Sequence, residues 1–314
     1  MLNILSTFEV FLETGLVFSI IAMGYYVSYY ILDFPDLTVE GTFVSGAVTF
    51  GLLAKSGINP WFALFCSFIV GCVFGAVTGV LHVKLGIKPL LCGILVSTSL
   101  ITVNLISTSA GTAKDFTGQS SSSISYGRIV ETLHDRFFGD FVPPRVENIV
   151  LRDLLIFFVV AVVCKILLDL YFKSKNGLLL RAAGDNEQYT KMLAVDPGNS
   201  KIIGLAIGNG YAAVAGALYT HISGNVNQSM GIGTIVIGLA SLIIGMSLLK
   251  GVRFMKPTTK VIIGAVLYQA CLTIAQKLGV PSAYNKLIMA VIFTVALVLS
   301  SKSKSKGGVS GVRA

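Results

Sequence analysis

Uncharged, mostly apolar stretches of about 20 residues, the length a helix needs to cross a bilayer, recur along this chain between short polar breaks. Residues 14–32 form the first. Asp33, Asp36 and Glu40 follow, and the run 41–54 after them is short, so a second span takes in part of the Asp36–Gly41 stretch. Residues 56–81 and 89–113 predict a third and a fourth. Residues 114–153 are different: they hold a serine run from Ser120 to Ser123, Pro143 and Pro144, and mixed charges. Ile129, Val130, Leu133 and Phe137 stand at roughly helical spacing there, which predicts a polar loop with one short surface helix. Residues 154–172 predict a fifth span, with Lys165 and Asp169 near its polar end. Residues 202–249 contain no Lys, Arg, Asp or Glu, enough for two crossings that turn at Gly224–Ser229. Residues 261–276 and 287–301, joined at Gly279–Pro281, bring the count to about nine spans. The tail, 302–314, is basic and Gly/Ser-rich and is expected to be disordered.

Composition fixes the solvent. The 314 residues are 54% hydrophobic and 12% charged, with a mean hydropathy of +0.80; soluble domains carry roughly 25% charge. A soluble core cannot absorb this much apolar surface. The expected fold is therefore all-α, a polytopic transmembrane helix bundle over residues 1–301, with room for one broken or re-entrant helix among the first two runs. A net charge of +9 would suit a nucleic-acid partner, but the cations cluster beside apolar runs, where they set orientation in a membrane instead. Lys84/Lys88, Lys173/Lys175/Arg181, Lys250–Lys260 and the tail all fall on one side of the expected spans. That side is the cytoplasm under the positive-inside rule, and the N-terminus falls outside. Glu9 and Glu13 occupy the place of a basic signal-peptide region, so the first run is expected to stay. Cys66, Cys72, Cys92, Cys164 and Cys271 lie in apolar segments without a CxxC pair, as small buried hydrophobes do; no disulfide is expected.

One polar segment, Arg181–Pro197, stands between long apolar runs. Asp185 is placed to cap a helix, with Gln188 completing a capping box. Met192, Leu193 and Val195 form a short apolar face, and Pro197 and Gly198 end it. Such a helix suits the docking of a soluble partner, or is an ordinary amphipathic loop helix. Asp36 and Glu40, four apart, share a face if helical; they line a pathway, mark a helix break or are solvated acids at a helix start. Gly71, Gly75 and Gly79, then Gly204, Gly208, Gly210 and Gly216, allow close helix packing in lipid. Asn104, Asn209, Asn225, Asn227, His221 and Gln269 are polar groups in or near apolar runs, available to line a pathway or to bond between helices. The sequence carries no P-loop, HExxH or GxSxG pattern, and no arginine series marks a voltage sensor. No catalytic residue, metal ligand or resident cofactor is expected.

RAAGDNEQYTKMLAVDPGNSKIIGLAIGNGYAAVAGALYT resembles the RAxGxNxxAAxxxGI pattern, followed by a Gly/Ala-rich helix, of the membrane permease subunits of bacterial ABC importers of the branched-chain amino acid and ribose class. FPDLTVEGTFVSGAV is similar to their DLSVG-type segment and Gly233-Thr-Ile-Val-Ile-Gly238-Leu-Ala to a later small-residue motif. The likeness runs from about Thr14 to Ser301, and the DLTVEG form with the long polar loop looks most like the tryptophan/tyrosine-type amino-acid permeases. It implies a type II-like importer permease. The segment at 185–195 would be its coupling helix, seated on a separate ATPase that binds ATP and Mg. Arg181, Gly184 and Asn186 match the motif; Asp185, Glu187, Tyr189, Met192 and Leu193 would share the contact. Gln188-Tyr189-Thr190 departs from it, standing where small Ala residues are usual. A second permease chain, most simply an identical one, and an extracytoplasmic solute-binding protein, lipid-anchored or periplasmic, complete the implied assembly in a bacterial cytoplasmic membrane. Asp36, Glu40, Asn104, Asn209 and Gln269 are the candidates for the pathway. The alternative function is a secondary transporter driven by an ion gradient, with Asp169 or Glu40 as its ionisable group; an integral membrane enzyme lacks any visible constellation.

Overall fold

The computed structural model describes residues 2–112, 123–125, 151–186, 188, 190, 196–252, 254–277, 279, 284, 287–295 and 298. The helical bundle expected from hydropathy is present. Helix α1 (Leu2–Tyr25) passes directly into a π-helical turn, Tyr26–Ile31. The chain then leaves the helix, with Asp33 at φ 51, and restarts as α2 (Thr38–Lys55). Next come α3 (Pro60–Val83), where Pro60 follows an Asn59 side chain that accepts from the Trp61 N–H at 3.1 Å, and α4 (Pro89–Thr112). After β1 (Ser123–Ser125) the order is α5 (Leu151–Tyr171), α6 (Lys175–Asp185), α7 (Gly198–Ser223), β2 (Asn225–Asn227), a 3-10 turn at Gln228–Gly231, α8 (Thr234–Leu248) and α9 (Pro257–Lys277). Residues 287–295 are helical.

Among the described residues seven helices are long and apolar enough to cross a membrane, so the expected count of about nine is not reproduced. Two expected spans fall outside that set. Helix α2 is 18 residues long with Glu40 in its first turn and Lys55 in its last, and most of it is buried inside the bundle, so it need not be apolar all round. Of the last span, 287–301, the helix is described at 287–295 and at 298. The turn expected at Gly224–Ser229 contains β2, which pairs antiparallel with β1 in the register Ser123↔Asn227. Strands this short give no periodicity to read. The final three residues of the expected 114–153 loop already belong to α5; its surface helix and the 302–314 tail lie outside the described residues.

Helix α7 is the axis of the bundle. Its small residues let other backbones touch its own. Gly71, Gly75 and Gly79 of α3 lie against Asn209, Leu205 and Ile202 of α7. Gly46 of α2 meets the Ala213 carbonyl, Gly216 meets that of Phe43, and Gly24 of α1 meets that of Gly208. The pair α8 and α9 repeats the arrangement at Gly245 and Gly264. In lipid, where apolar side chains gain little by leaving the hydrocarbon, such close packing is what holds helices together. Bulky residues such as Phe65, Ile69, Val73 and Val77 on the outer side of α3 are exposed, as a lipid-facing surface requires.

The cationic clusters gather at one end. Val83, just before Lys84, packs on Gly198 at the start of α7, and Leu180 of α6 packs on Gly204; Lys256 reaches Asp169 near the end of α5 at 2.9 Å. The first half of α1, the end of α7 and the end of α9 make the opposite end.

A side chain at Gly75 would drive into the Leu205 carbonyl. Gly75→Val is expected to destabilise the purified protein by about 1–3 kcal/mol, read as a lower midpoint of thermal unfolding in detergent. Gly251, whose added Cβ would meet nothing within 4 Å, gives the control: Gly251→Ala should leave the midpoint unchanged.

Candidate functional site

The motif segment begins as the end of a helix. Ser174 caps α6, its Oγ accepting from the Gly177 N–H at 3.2 Å, and α6 continues through Arg181 and Gly184 to Asp185. The Asn186 N–H closes it on the Ala182 carbonyl at 3.0 Å. Asn186 itself is extended, with φ −155 and ψ 98, and its carbonyl accepts from the Thr190 N–H at 3.2 Å. The hinge between helices is therefore Asn186, one residue beyond the cap expected at Asp185, because Asp185 still belongs to the α6 ladder. Glu187, Tyr189, Met192 and Leu193 lie outside the described residues, as does the apolar face ending at Val195.

Two motif residues make inward contacts. The Arg181 guanidinium carbon lies 4.4 Å from the centre of the Phe172 ring, within cation–π range, and Phe172 meets Tyr26 edge-on at 5.7 Å. Gly184 lies so close to the Ile31 carbonyl that a Cβ would overlap it. The Gly184 contact falls on the π-helical turn, and the Arg181 contact reaches it through Phe172. Its end is fastened by the Leu32 N–H to Val27 and the Phe34 N–H to Ser28, at 3.2 and 2.9 Å. Turns of this kind recur at functional sites.

Beyond the turn stands Asp36, 1% exposed. Asp36 and Glu40 do not share a helical face, because Asp36 precedes α2. Its Oδ1 accepts from the Thr38 N–H at 2.9 Å, and its Oδ2 from the Asn209 side chain at 2.6 Å. Asn209 completes its set with the Thr42 hydroxyl donating to Oδ1 at 2.9 Å and its own amide donating to the Leu205 carbonyl at 3.0 Å. A buried carboxylate without hydrogen bonds would be prohibitive; this one is held by neutral donors from two helices. Asn104 of α4 plays the same part toward α2, accepting from the Ser45 hydroxyl at 2.8 Å and donating to the Gly41 carbonyl at 3.2 Å. Asp36, Asn209 and Asn104 thus bond between helices. Glu40 points elsewhere, its Oε1 accepting from the Gly233 N–H at 2.8 Å. Gly233, at φ 96, takes the left-handed conformation that suits glycine and starts α8 beside the first turn of α2, where Gly231 meets the Glu40 carbonyl. The start of α8 is therefore sunk into the bundle. With the 3-10 turn before it, the segment Gln228–Leu248 is 21 residues long, enough to cross a hydrocarbon core of about 30 Å.

A partly enclosed cavity of about 260 Å³ opens at that point, lined by Thr14 and Phe18 of α1, Tyr219 of α7, Thr234 of α8, and Gln269 and Thr273 of α9, among others. Of the five pathway candidates, Gln269 lines it. The hydroxyl residues escaped notice because a threonine in an apolar run is ordinary. One signal was available: Gln269, Thr273 and Gln276 recur at the spacing of one helix face.

At the other end, Asp169 accepts from Lys256 at 2.9 Å, Lys165 at 3.2 Å and Thr258 at 2.8 Å. A carboxylate so paired is suited to pinning α5 to α9.

Residues 8–298 match the profile of the family described as the permease component of branched-chain amino acid transport systems. The chain is 38% identical over 283 residues to a tyrosine transport system permease protein of Clostridioides difficile, covering 90% of this chain and 88% of that one. It is 26% identical to the fructose import permease protein FruF of Bifidobacterium longum, over 85% of this chain and 69% of the other. PsaBC from Streptococcus pneumoniae in complex with Fab is a loose structural neighbour, with a TM-score of 0.49 at 17% identity, over 91% of this chain and 89% of that one. The chain belongs to the permease family of ABC-type transport systems and is a multi-pass membrane protein.

The Asp36–Asn209 link is testable apart from transport. Asn209→Leu removes a donor from a buried carboxylate, which costs on the order of 2–3 kcal/mol. A double-mutant cycle with Asp36→Leu, measured by unfolding in detergent, is expected to show coupling well above zero; strict additivity would mean that the bond contributes nothing.

Proposed function

We propose that the chain is the membrane subunit of an ATP-driven importer for an amino acid with a large apolar or aromatic side chain, tyrosine being the first to test. Membership of the permease family supports transport, and the 38% identity to a tyrosine system permease supports the substrate class. In this reading two identical copies enclose the pathway in a bacterial cytoplasmic membrane. A pair of separate ATPase subunits holds ATP and Mg on the cytoplasmic side, and an extracytoplasmic solute-binding lipoprotein delivers the solute.

The observation that carries the coupling role is the seat of α6 on the break in the first helix. A pull on the segment after Asn186 moves the end of α6. Gly184 bears directly on Ile31, and Arg181 bears on Tyr26 through Phe172. Displacing that turn shifts residues 32–37, and Asp36 passes the shift to α7 through Asn209. Movement of one packed helix against another is a known route for switching a gate. The energy is supplied by the partner, so the permease contributes geometry and no reacting group.

Gly184→Ala forces α6 away from Ile31 while leaving every polar bond in place. In vesicles containing the permease, its ATPase and its binding protein, the solute transported per ATP hydrolysed is expected to fall about tenfold, with hydrolysis itself retained. An unchanged ratio would remove Gly184 from the coupling path. Uptake driven by an imposed ion gradient without the ATPase would overturn the importer reading altogether.

A further inference from the structure

We infer that the turn between α8 and α9 binds anionic phospholipid, with Phe254 in the interfacial layer of the membrane and Lys250 and Lys256 on the phosphates; this holds whatever solute the chain carries. The first observation is one of exposure. Among the large hydrophobic side chains of the described residues, Phe254 is the most exposed, at 90%, and Leu248, the last residue of α8, is next, at 66%. Lys250 between them and Lys256 just beyond are exposed as well. The turn that carries them is fastened. The Lys250 N–H donates to the Ser247 carbonyl at 3.4 Å and the Val252 N–H to that of Leu249 at 3.1 Å, and the Lys256 ammonium is held by Asp169 at 2.9 Å. An ammonium group has three donors, and the Lys256 side chain stays 55% exposed in that pair, so it can meet a phosphate at the same time. An aromatic ring held out on such a turn gains by leaving water, and the membrane interface is where rings of this kind collect.

Charge and position select an anionic lipid surface over a soluble partner. No Asp or Glu follows Asp196 in the chain. The acid that faces the turn, Asp169, is already shared among Lys256, Lys165 and Thr258. The turn is therefore left with a positive surplus, matched to phosphodiester headgroups. Position agrees with charge. The segment ending at Leu248 is long and apolar enough to cross a membrane, so Phe254, a few residues on, stands where hydrocarbon gives way to water. The same composition recurs at the same end: Leu85, 65% exposed, lies in the turn after α3 beside the exposed Lys84 and Lys88. Bare apolar side chains set singly between cations suit a lipid interface, which takes the apolar part into its acyl boundary and the cations onto its headgroups.

Trp61 is the chain's only tryptophan and lies in the first turn of α3, at the end away from Lys84. Trp61→Phe combined with Phe254→Trp therefore puts a single fluorophore on the turn. The full-length chain with both substitutions is placed in phosphatidylcholine vesicles holding equal amounts of either brominated phosphatidylglycerol or brominated phosphatidylcholine, with and without the ATPase subunits. Brominated phosphatidylglycerol is expected to quench the emission more strongly, by a margin that shrinks as salt is raised. Adding Lys250→Gln should raise the phosphatidylglycerol content needed for half-maximal quenching about fivefold, the loss expected for one surface cation, and Lys250→Arg should leave it unchanged. Equal quenching by the two lipids would overturn the headgroup assignment. No quenching by either lipid, or quenching abolished when the ATPase subunits are added, would mean that water or the ATPase covers the turn and would overturn the proposal. None of these outcomes bears on the importer reading.

Discussion

A glycine stands on one side or the other of each seam where α7 meets α1, α2 and α3, and the bundle is arranged around that fact. Inside a bilayer the hydrophobic effect does not draw helices together, because lipid tails solvate a leucine as well as another leucine does. Attraction has to come from close van der Waals contact and from polar bonds shielded from water. Glycines on either side of each seam supply the first, putting Gly46, Gly71 and Gly75 directly onto the α7 backbone. The second depends on the first. A short side chain such as Asn209 can reach Asp36 on one side and Thr42 on the other because the backbones have already come near. Widening the seam by one methyl group would strain both kinds of contact together.

That close packing makes the two interruptions in the bundle consequential. A stiff, tightly joined core transmits displacement, and it yields where the helical ladder is broken. One break follows the π-helical turn at Tyr26–Ile31, and the α6 end bears on it from the cationic side. The other is at Gly233, where α8 starts deep in the bundle beside the cavity. Helix α2 links them, with Asp36 just ahead of its start and Glu40 in its first turn holding the Gly233 N–H. Transport proteins commonly place solute sites at such interrupted helices, where backbone and side-chain polar groups line a cavity. The carboxylates in the DLTVEG stretch are thereby explained as fasteners of two different helix starts. Their spacing of four has no part in it.

Much of this was legible from residue order alone. The bundle followed from hydropathy, because long charge-free runs have only one stable home. The family followed from a polar motif in an otherwise apolar chain, and close packing from glycines at every fourth position. Three features were hidden for distinct physical reasons. Asp185, expected to start a helix, is the last residue of α6, because the α6 ladder runs on through it to the Asn186 N–H, and local capping preference cannot foresee how far a preceding helix continues. Helix α2 looked like an ordinary span because the hydropathy of a helix buried in protein resembles that of one facing lipid. The cavity was invisible because its polar members come from four helices, and a threonine that returns its proton to its own helix leaves no trace in a pattern. Only Gln269, Thr273 and Gln276 shared one face closely enough to be noticed.

Among the described residues, those that line the cavity beside Gly233 carry no charge. Conduction requires binding favourable enough to enter and weak enough to leave. Amides and hydroxyls stand there instead, and Glu40, close by, is held by the Gly233 N–H. The close contacts of Gly245 with the Lys260 carbonyl and of Gly264 with that of Ser241 leave no side chain in that seam to oppose sliding.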